Sequence, residues 1–209
     1  MELTLVNVIT LAATTGIFTA FLNQGLTGFR EWWLEYRKKG TRAGYHTLQL
    51  AVILEAYADA CAEFISANGN ADTPPDQEFP NWAVKLPKLP PFPDDAEGWH
   101  AINPKLAGRT LNLRNRINGS QGVIASTIEF TSQELGEILD LHAAGRGLEA
   151  WRIAVDLRRE HKLDAVDLIW DFVEGMENTL QGAEQNLKDM QERSLALFAA
   201  GQGLTNPSS

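Results

Sequence analysis

The chain has 209 residues, 44% of them hydrophobic, and a net charge of −9 at pH 7. That length suits one domain of ordinary size with a real core rather than two. The acidic balance argues against nucleic acid as a partner, and the single cysteine, Cys61, rules out an internal disulfide and fits a reducing compartment.

Residues 1–29 carry one charged side chain, Glu2, and from Leu3 to Phe29 there is no Asp, Glu, Lys, Arg or His. A helix rising about 1.5 Å per residue needs roughly 20 apolar residues to cross a hydrocarbon core of about 30 Å, and this run is long enough. Trp32 and Trp33 follow among Arg30, Arg37, Lys38, Lys39 and Arg42, the order of an aromatic belt and a basic flank at a membrane interface. The expectation is a transmembrane helix in the lipid bilayer of a bacterial inner membrane, with the N-terminus outside and the bulk of the chain cytoplasmic. A cleaved secretory signal fits less well, because its positive charge should precede the apolar core. Ala12, Gly16 and Ala20 repeat a small residue every fourth position, and Thr4, Asn7, Thr10 and Thr14 share one face. In lipid, such features let helices pack closely on one another. Asn7, Asn23, Gln24 and the six threonines of this run make it borderline for a bilayer. A soluble all-α protein with the same helix buried in its core is therefore the competing expectation.

Residues 30–68 read as the basic flank followed by an amphipathic helix. Leu50, Ile53, Leu54, Tyr57, Cys61, Phe64 and Ile65 recur at three and four, and Asn68-Gly69-Asn70 ends the run. Cys61 falls on that apolar stripe, which favours a small core residue over a nucleophile. An N-terminal apolar helix, a basic flank and an Ala/Leu/Glu-rich second helix (Leu48, Leu50, Ala51, Leu54, Glu55, Tyr57, Ala58, Cys61) together resemble uncharacterised bacterial membrane-anchored helical proteins. The resemblance covers about a third of the chain and implies no activity.

Residues 69–102 form a Pro-rich arm. Seven prolines between Thr73 and Pro93 exclude helix and central strand, because each lacks a backbone donor and fixes φ. Phe79, Trp82, Leu86, Leu89 and Phe92 make the arm too apolar for a solvated linker, so it should lie on its own domain in extended pieces. A docking strip for another protein over Pro87 to Pro93 is the alternative.

The expectation for residues 103–200 is a helical bundle. Asn103-Pro104 is a cap followed by a first-turn proline, and the helix it starts should carry Leu106, Leu113 and Ile117 inward and stop near Asn118-Gly119. Lys105, Arg109, Arg114 and Arg116 make this helix the one basic cluster beyond the flank: an anion patch, or a solvated face pairing with the acidic body. Thr131 and Glu134 form a capping box, with Phe130 and Leu135 as its staple, so another helix should begin there. Gly145-Arg146-Gly147 should kink or interrupt it before it runs on to about His161.

The strongest periodicity comes last. Val166, Ile169, Val173, Met176, Leu180, Ala183, Leu187, Met190, Ser194 and Leu197 alternate three and four apart, a heptad seam over about five turns of the repeat. Such a helix should lie along another long one, in the same chain, in a second copy or in another helical protein. Residues 201–209 read as a flexible tail.

No CxxC pair, phosphate-binding glycine loop, HExxH or GxSxG is present, and no cofactor is expected. Glu137, Asp140 and His142 could meet Glu160 and His161 at a metal if two helices packed antiparallel, and Trp99-His100 is a second place for a pocket. The leading expectation is an all-α, single-pass membrane-anchored protein that acts by self-association or partner binding rather than catalysis. Beside the soluble protein stands a third class, a small membrane-associated hydrolase or metalloprotein using His142 and His161.

Overall fold

The first helix among the described residues forms where leucine, alanine and tyrosine recur at helical spacing, and it places one stripe inward: Leu50, Leu54, Tyr57, Ala58 and Cys61 are all buried. In the computed structural model of the chain, the described residues are 43–76, 79–130, 134–166 and 171–203. The chain divides between Tyr45 and His46, and the fold reported is that of the second part. The transmembrane helix expected over 1–29, the packing residues expected there, Ala12, Gly16 and Ala20, and the expected interface residues Trp32, Trp33, Arg37, Lys38 and Lys39 lie outside the described residues. No described helix is long and apolar enough to cross a membrane.

The described residues contain helices and no strand. We number them α1 (43–69), α2 (Ala96–His100), α3 (Pro104–Phe130), α4 (Leu135–Glu160) and α5 (Phe172–Gly203). α4 is the central helix, with α3 and α5 packed along it. Arg109 pairs with Asp156 and Arg116 with Glu149, so α3 runs antiparallel to α4. Glu137 meets Asn186 and Arg152 meets Glu177, so α5 does too. On α1, Glu55 holds Arg158 through both carboxylate oxygens, near the opposite end from the Phe64–Leu139 cluster. The sequence sets residues 30–68 apart from the 103–200 bundle, yet α1 supplies Leu50, Leu54, Tyr57 and Cys61 to the same core as Leu113, Leu148, Ile153 and Met176.

Since α1 and α3 both oppose α4, the chain must travel back along the bundle between them, and the Pro-rich arm makes that return in extended form. The arm lies on its own domain, as expected, and main-chain contacts hold it there. Asn68 accepts from the Ala83 amide at 2.8 Å and donates to the Ala83 carbonyl at 3.1 Å. Gln121 accepts from the Leu86 amide at 2.9 Å and donates to the Val84 carbonyl at 3.0 Å. Leu86 and Leu89 are buried, and the arm ends at Trp99, whose ring meets Phe92 and His46 edge to face.

The helix ends follow local chemistry. Asn103 caps α3 by accepting from the Lys105 amide at 2.9 Å, with Pro104 in the first turn. Asp171 caps α5 through the amides of Val173 and Glu174. α4 ends with Lys162 in the left-handed region at φ 54°, the Lys162 amide bonded to Arg159 and the Leu163 amide to Arg158. That pair of bonds is a Schellman closure.

Two expectations are corrected. α3 does not stop at Asn118-Gly119: it continues to Phe130, because Ser120 and Ile124 are buried beyond the glycine and Gln121 must reach the arm. α4 is unbroken through Gly145-Arg146-Gly147. A side chain at Gly147 would begin 2.6 Å from the Met176 sulfur and 2.9 Å from Cys61 Cβ, so glycine here lets α1 and α5 close on α4. That packing offsets the usual cost of glycine in a helix, about 1 kcal/mol.

The seam residues are unevenly covered. Met176 and Ala183 are buried and Val173 and Leu180 pack against the core, whereas Leu187 and Met190 are half-covered and Leu197 is 75% exposed. Val166 precedes the helix, in the connection from α4, and Ile169 lies outside the described residues. Leu135, the start of α4, is only two residues from Glu137, which faces Asn186; the later turns of α5 therefore extend past α4.

Candidate functional site

Arg109 and Arg116 lie seven residues apart on α3, two turns of helix, so they share one face. That face looks onto α4, where Arg146, Glu149 and Arg152 follow one another at three-residue spacing. Together with Leu141, His142, Gly145 and Leu148 of α4 and Leu180 and Glu184 of α5, they line a groove of about 550 Å³. The groove adjoins a hollow along α3 that passes Asn112, Asn115 and Gly108 toward Lys105. Four arginines and two glutamates line the groove, and Asp156 and Glu177 pair with Arg109 and Arg152 from beside it, so the concavity is rich in guanidinium groups and balanced in charge.

Glu149 organises its floor. One oxygen receives Arg146 at 2.6 Å and the other receives Arg116 at 2.9 Å, so a single carboxylate holds two guanidinium groups side by side. Arg109 is held by Asp156 at 2.7 Å and Arg152 by Glu177 at 3.3 Å. A guanidinium has more N–H donors than one such contact uses. Arg146 is only 18% exposed, and its Nε is buried without a hydrogen-bond partner. The same holds for Nε2 of His142, beside it on the groove wall. Burial, then the Arg146 charge, pushes the His142 pKa down and keeps the ring neutral at neutral pH.

The expected anion patch is thereby redrawn. Arg114 leaves it: five residues from Arg109 is roughly 140° around a helix. Its guanidinium donates to the carbonyls of Pro90 at 2.8 Å and Leu89, and sits 5.3 Å over the Phe92 ring. It is a clamp for the arm. Arg146 and Arg152 enter the patch in its place, from a helix whose Gly-Arg-Gly step reads in sequence as a breaker. The i, i+7 spacing of Arg109 and Arg116, matched by the Arg146–Glu149–Arg152 run, is the signal that could have joined them.

The residues considered for a metal do not converge. His142 faces the arginine groove, while Asp140 and Glu137 line a separate hollow of about 340 Å³ with Trp82 and Gly136. His161, at the far end of the unbroken α4, is roughly 28 Å away along the axis. Among the described residues no cluster of His, Cys, Asp and Glu is arranged to hold a metal ion. Burial raises the Asp140 pKa to about 6, with Glu137 adding to the effect. Cys61 is a core residue whose thiol burial pushes up to about 12, and burial first, then Cys61, raises its neighbour Tyr57. Trp99 is a packing centre whose indole donates to the Pro93 carbonyl, and His100 is exposed.

No family model, curated protein or solved structure matches the chain.

Proposed function

We propose that this protein is a membrane-tethered helical binding module, anchored by residues 1–29, that grips an anionic group in the α3–α4–α5 groove and carries out no chemistry of its own. The observation that carries the reading is the convergence of Arg109, Arg116, Arg146 and Arg152 on one concavity, with the Arg146 Nε donor and the His142 Nε2 both left without a partner. Ion pairs held by exposed groups contribute little stability, about 0–1 kcal/mol each. Arg116 at 58% and Arg152 at 61% exposure therefore add little to the fold. Their convergence is better accounted for by recognition. The test is thermal stabilisation of the detergent-solubilised full chain by phosphate, succinate and citrate. A rise in melting temperature that Arg109→Gln/Arg116→Gln abolishes supports the reading, and no rise with any anion overturns it.

Self-association through α5 is a second reading, favoured by Leu187, Met190 and Leu197 continuing the apolar spacing beyond α4. Light scattering of the solubilised chain tests it: an oligomer that Leu197→Asp converts to folded monomer supports the seam, and a monomeric parent removes it.

A further inference from the structure

We infer that the groove takes a phosphate monoester: a tetrahedral dianion on an apolar or hydroxyl-bearing body. The inference rests on the anion-binding reading and narrows it.

Three observations point to this class. First, donors approach from different directions, Arg109 and Arg116 from α3 and Arg146, Arg152 and His142 from α4. A planar carboxylate is satisfied by one guanidinium fork, whereas a phosphate offers three acceptor oxygens around a tetrahedron. The groove already holds a carboxylate, Glu149, between Arg146 and Arg116, and Arg146 Nε and His142 Nε2 stay unused. Second, the guanidinium groups have donors to spare. Each of the four arginines makes one ion-pair contact, to Glu149, Asp156 or Glu177, which leaves further N–H groups for a dianion, and His142 stays neutral, so with the proton on Nε2 it donates without adding charge. Third, the volume of about 550 Å³ exceeds a lone phosphate and lies within the range of organic ligands. Leu141 and Leu180 give the rest of the ligand an apolar wall, and Glu184 at the rim can accept from a hydroxyl or ammonium group.

The geometry gives each residue a separate task. Arg146 and His142 line the floor, where their buried Nε and Nε2 reach a phosphate once the side chains turn toward the groove, and burial strengthens each hydrogen bond made there. Arg116 and Arg109 close over it from α3. Glu149 stays in place as the counter-ion that bridges Arg146 and Arg116 when no ligand is bound.

A soluble metabolite and a phosphatidate headgroup share this chemistry, and a competition experiment separates them. The probes are phenyl phosphate and benzoate, titrated calorimetrically into the solubilised full chain. The inference requires phenyl phosphate to bind at least about tenfold tighter than benzoate. Arg116→Gln and Arg146→Gln should each weaken phenyl phosphate about tenfold or more, and Arg193→Gln on α5, which removes the same charge outside the groove, should leave it unchanged. Arg116 is largely exposed, so its variant keeps the test open should Arg146→Gln fail to fold. Benzoate binding as tightly as phenyl phosphate overturns the phosphate assignment and leaves an anion groove. Failure of every anion removes both. Equal loss in Arg193→Gln overturns the site by showing a diffuse charge effect. Phosphatidylcholine vesicles containing phosphatidate, displacing bound phenyl phosphate where those containing phosphatidylglycerol do not, identify the headgroup as the source. No displacement by either identifies a soluble ester.

Discussion

α4 and α5 are the two helices whose sequences promise opposite things. α4 carries a Gly-Arg-Gly step and no clean repeat, yet nine of its residues are buried and it contacts every long helix of the bundle. α5 has the most regular apolar spacing in the chain, yet past Ala183 its seam residues are half-covered or exposed. Periodicity reports that a helix has a face to cover, not that its own chain covers it. Centrality comes instead from small residues: Ala143, Ala144, Gly147, Ala150 and Ala154 let three helices approach α4 at once.

Substitutions that exchange the roles of the two helices should show the largest effects. Gly147→Val in α4 should cost about 4 kcal/mol or more, enough to prevent folding, since a Cβ placed there would lie within 3 Å of Met176 and Cys61. Gly182→Ala in α5 meets nothing within 4 Å and should stabilise by about 0.5–1 kcal/mol. Urea denaturation of both variants measures the contrast, and similar costs would refute it. Next comes Leu148→Ala, expected to lose about 3 kcal/mol from a fully buried site, against less than about 0.5 kcal/mol for Leu195→Ala at 61% exposure.

Asp140 sharpens the comparison through pH. Its native pKa of about 6 exceeds the ordinary 3.8, so the folded state binds the proton more tightly than the unfolded chain. Its contribution is favourable at low pH and is lost as pH rises from about 4 to about 6. Asp140→Asn should therefore stabilise above pH 6 by about 1 kcal/mol, after discounting for a half-exposed carboxyl, and make no difference near pH 4. Melting curves at both pH values check the sign. A gain of the size expected for Gly182→Ala belongs to the joint between the two helices, where Lys162→Gly removes a left-handed non-glycine residue and should stabilise by about 0.5–1 kcal/mol.

The helical class, the arm and the Asn103-Pro104 cap were legible because each depends on neighbours in sequence. The continuation of α3 through Gly119 was not, since its reason lies in Ile124 and in Gln121 reaching an arm 35 residues away. The Asp171 cap carried a readable residue type that the dominant heptad pattern overshadowed. Of the groove, only its α3 half could be seen. Arg109 and Arg116 announce a basic face, but Arg146, Arg152 and His142 join them only once α4 runs straight and antiparallel beside it.

Asn68, Gln121 and Arg114 hold the arm by its amides and carbonyls and ignore most of its side chains. Much of the instruction for placing the arm is therefore written in α1 and α3, and the arm adds its two buried leucines, Leu86 and Leu89. Positions such as Lys85 and Lys88 are free to drift or to be rewritten, and the segment is a natural graft site, where a foreign extended peptide that keeps apolar side chains at the places of those two leucines would inherit the same track.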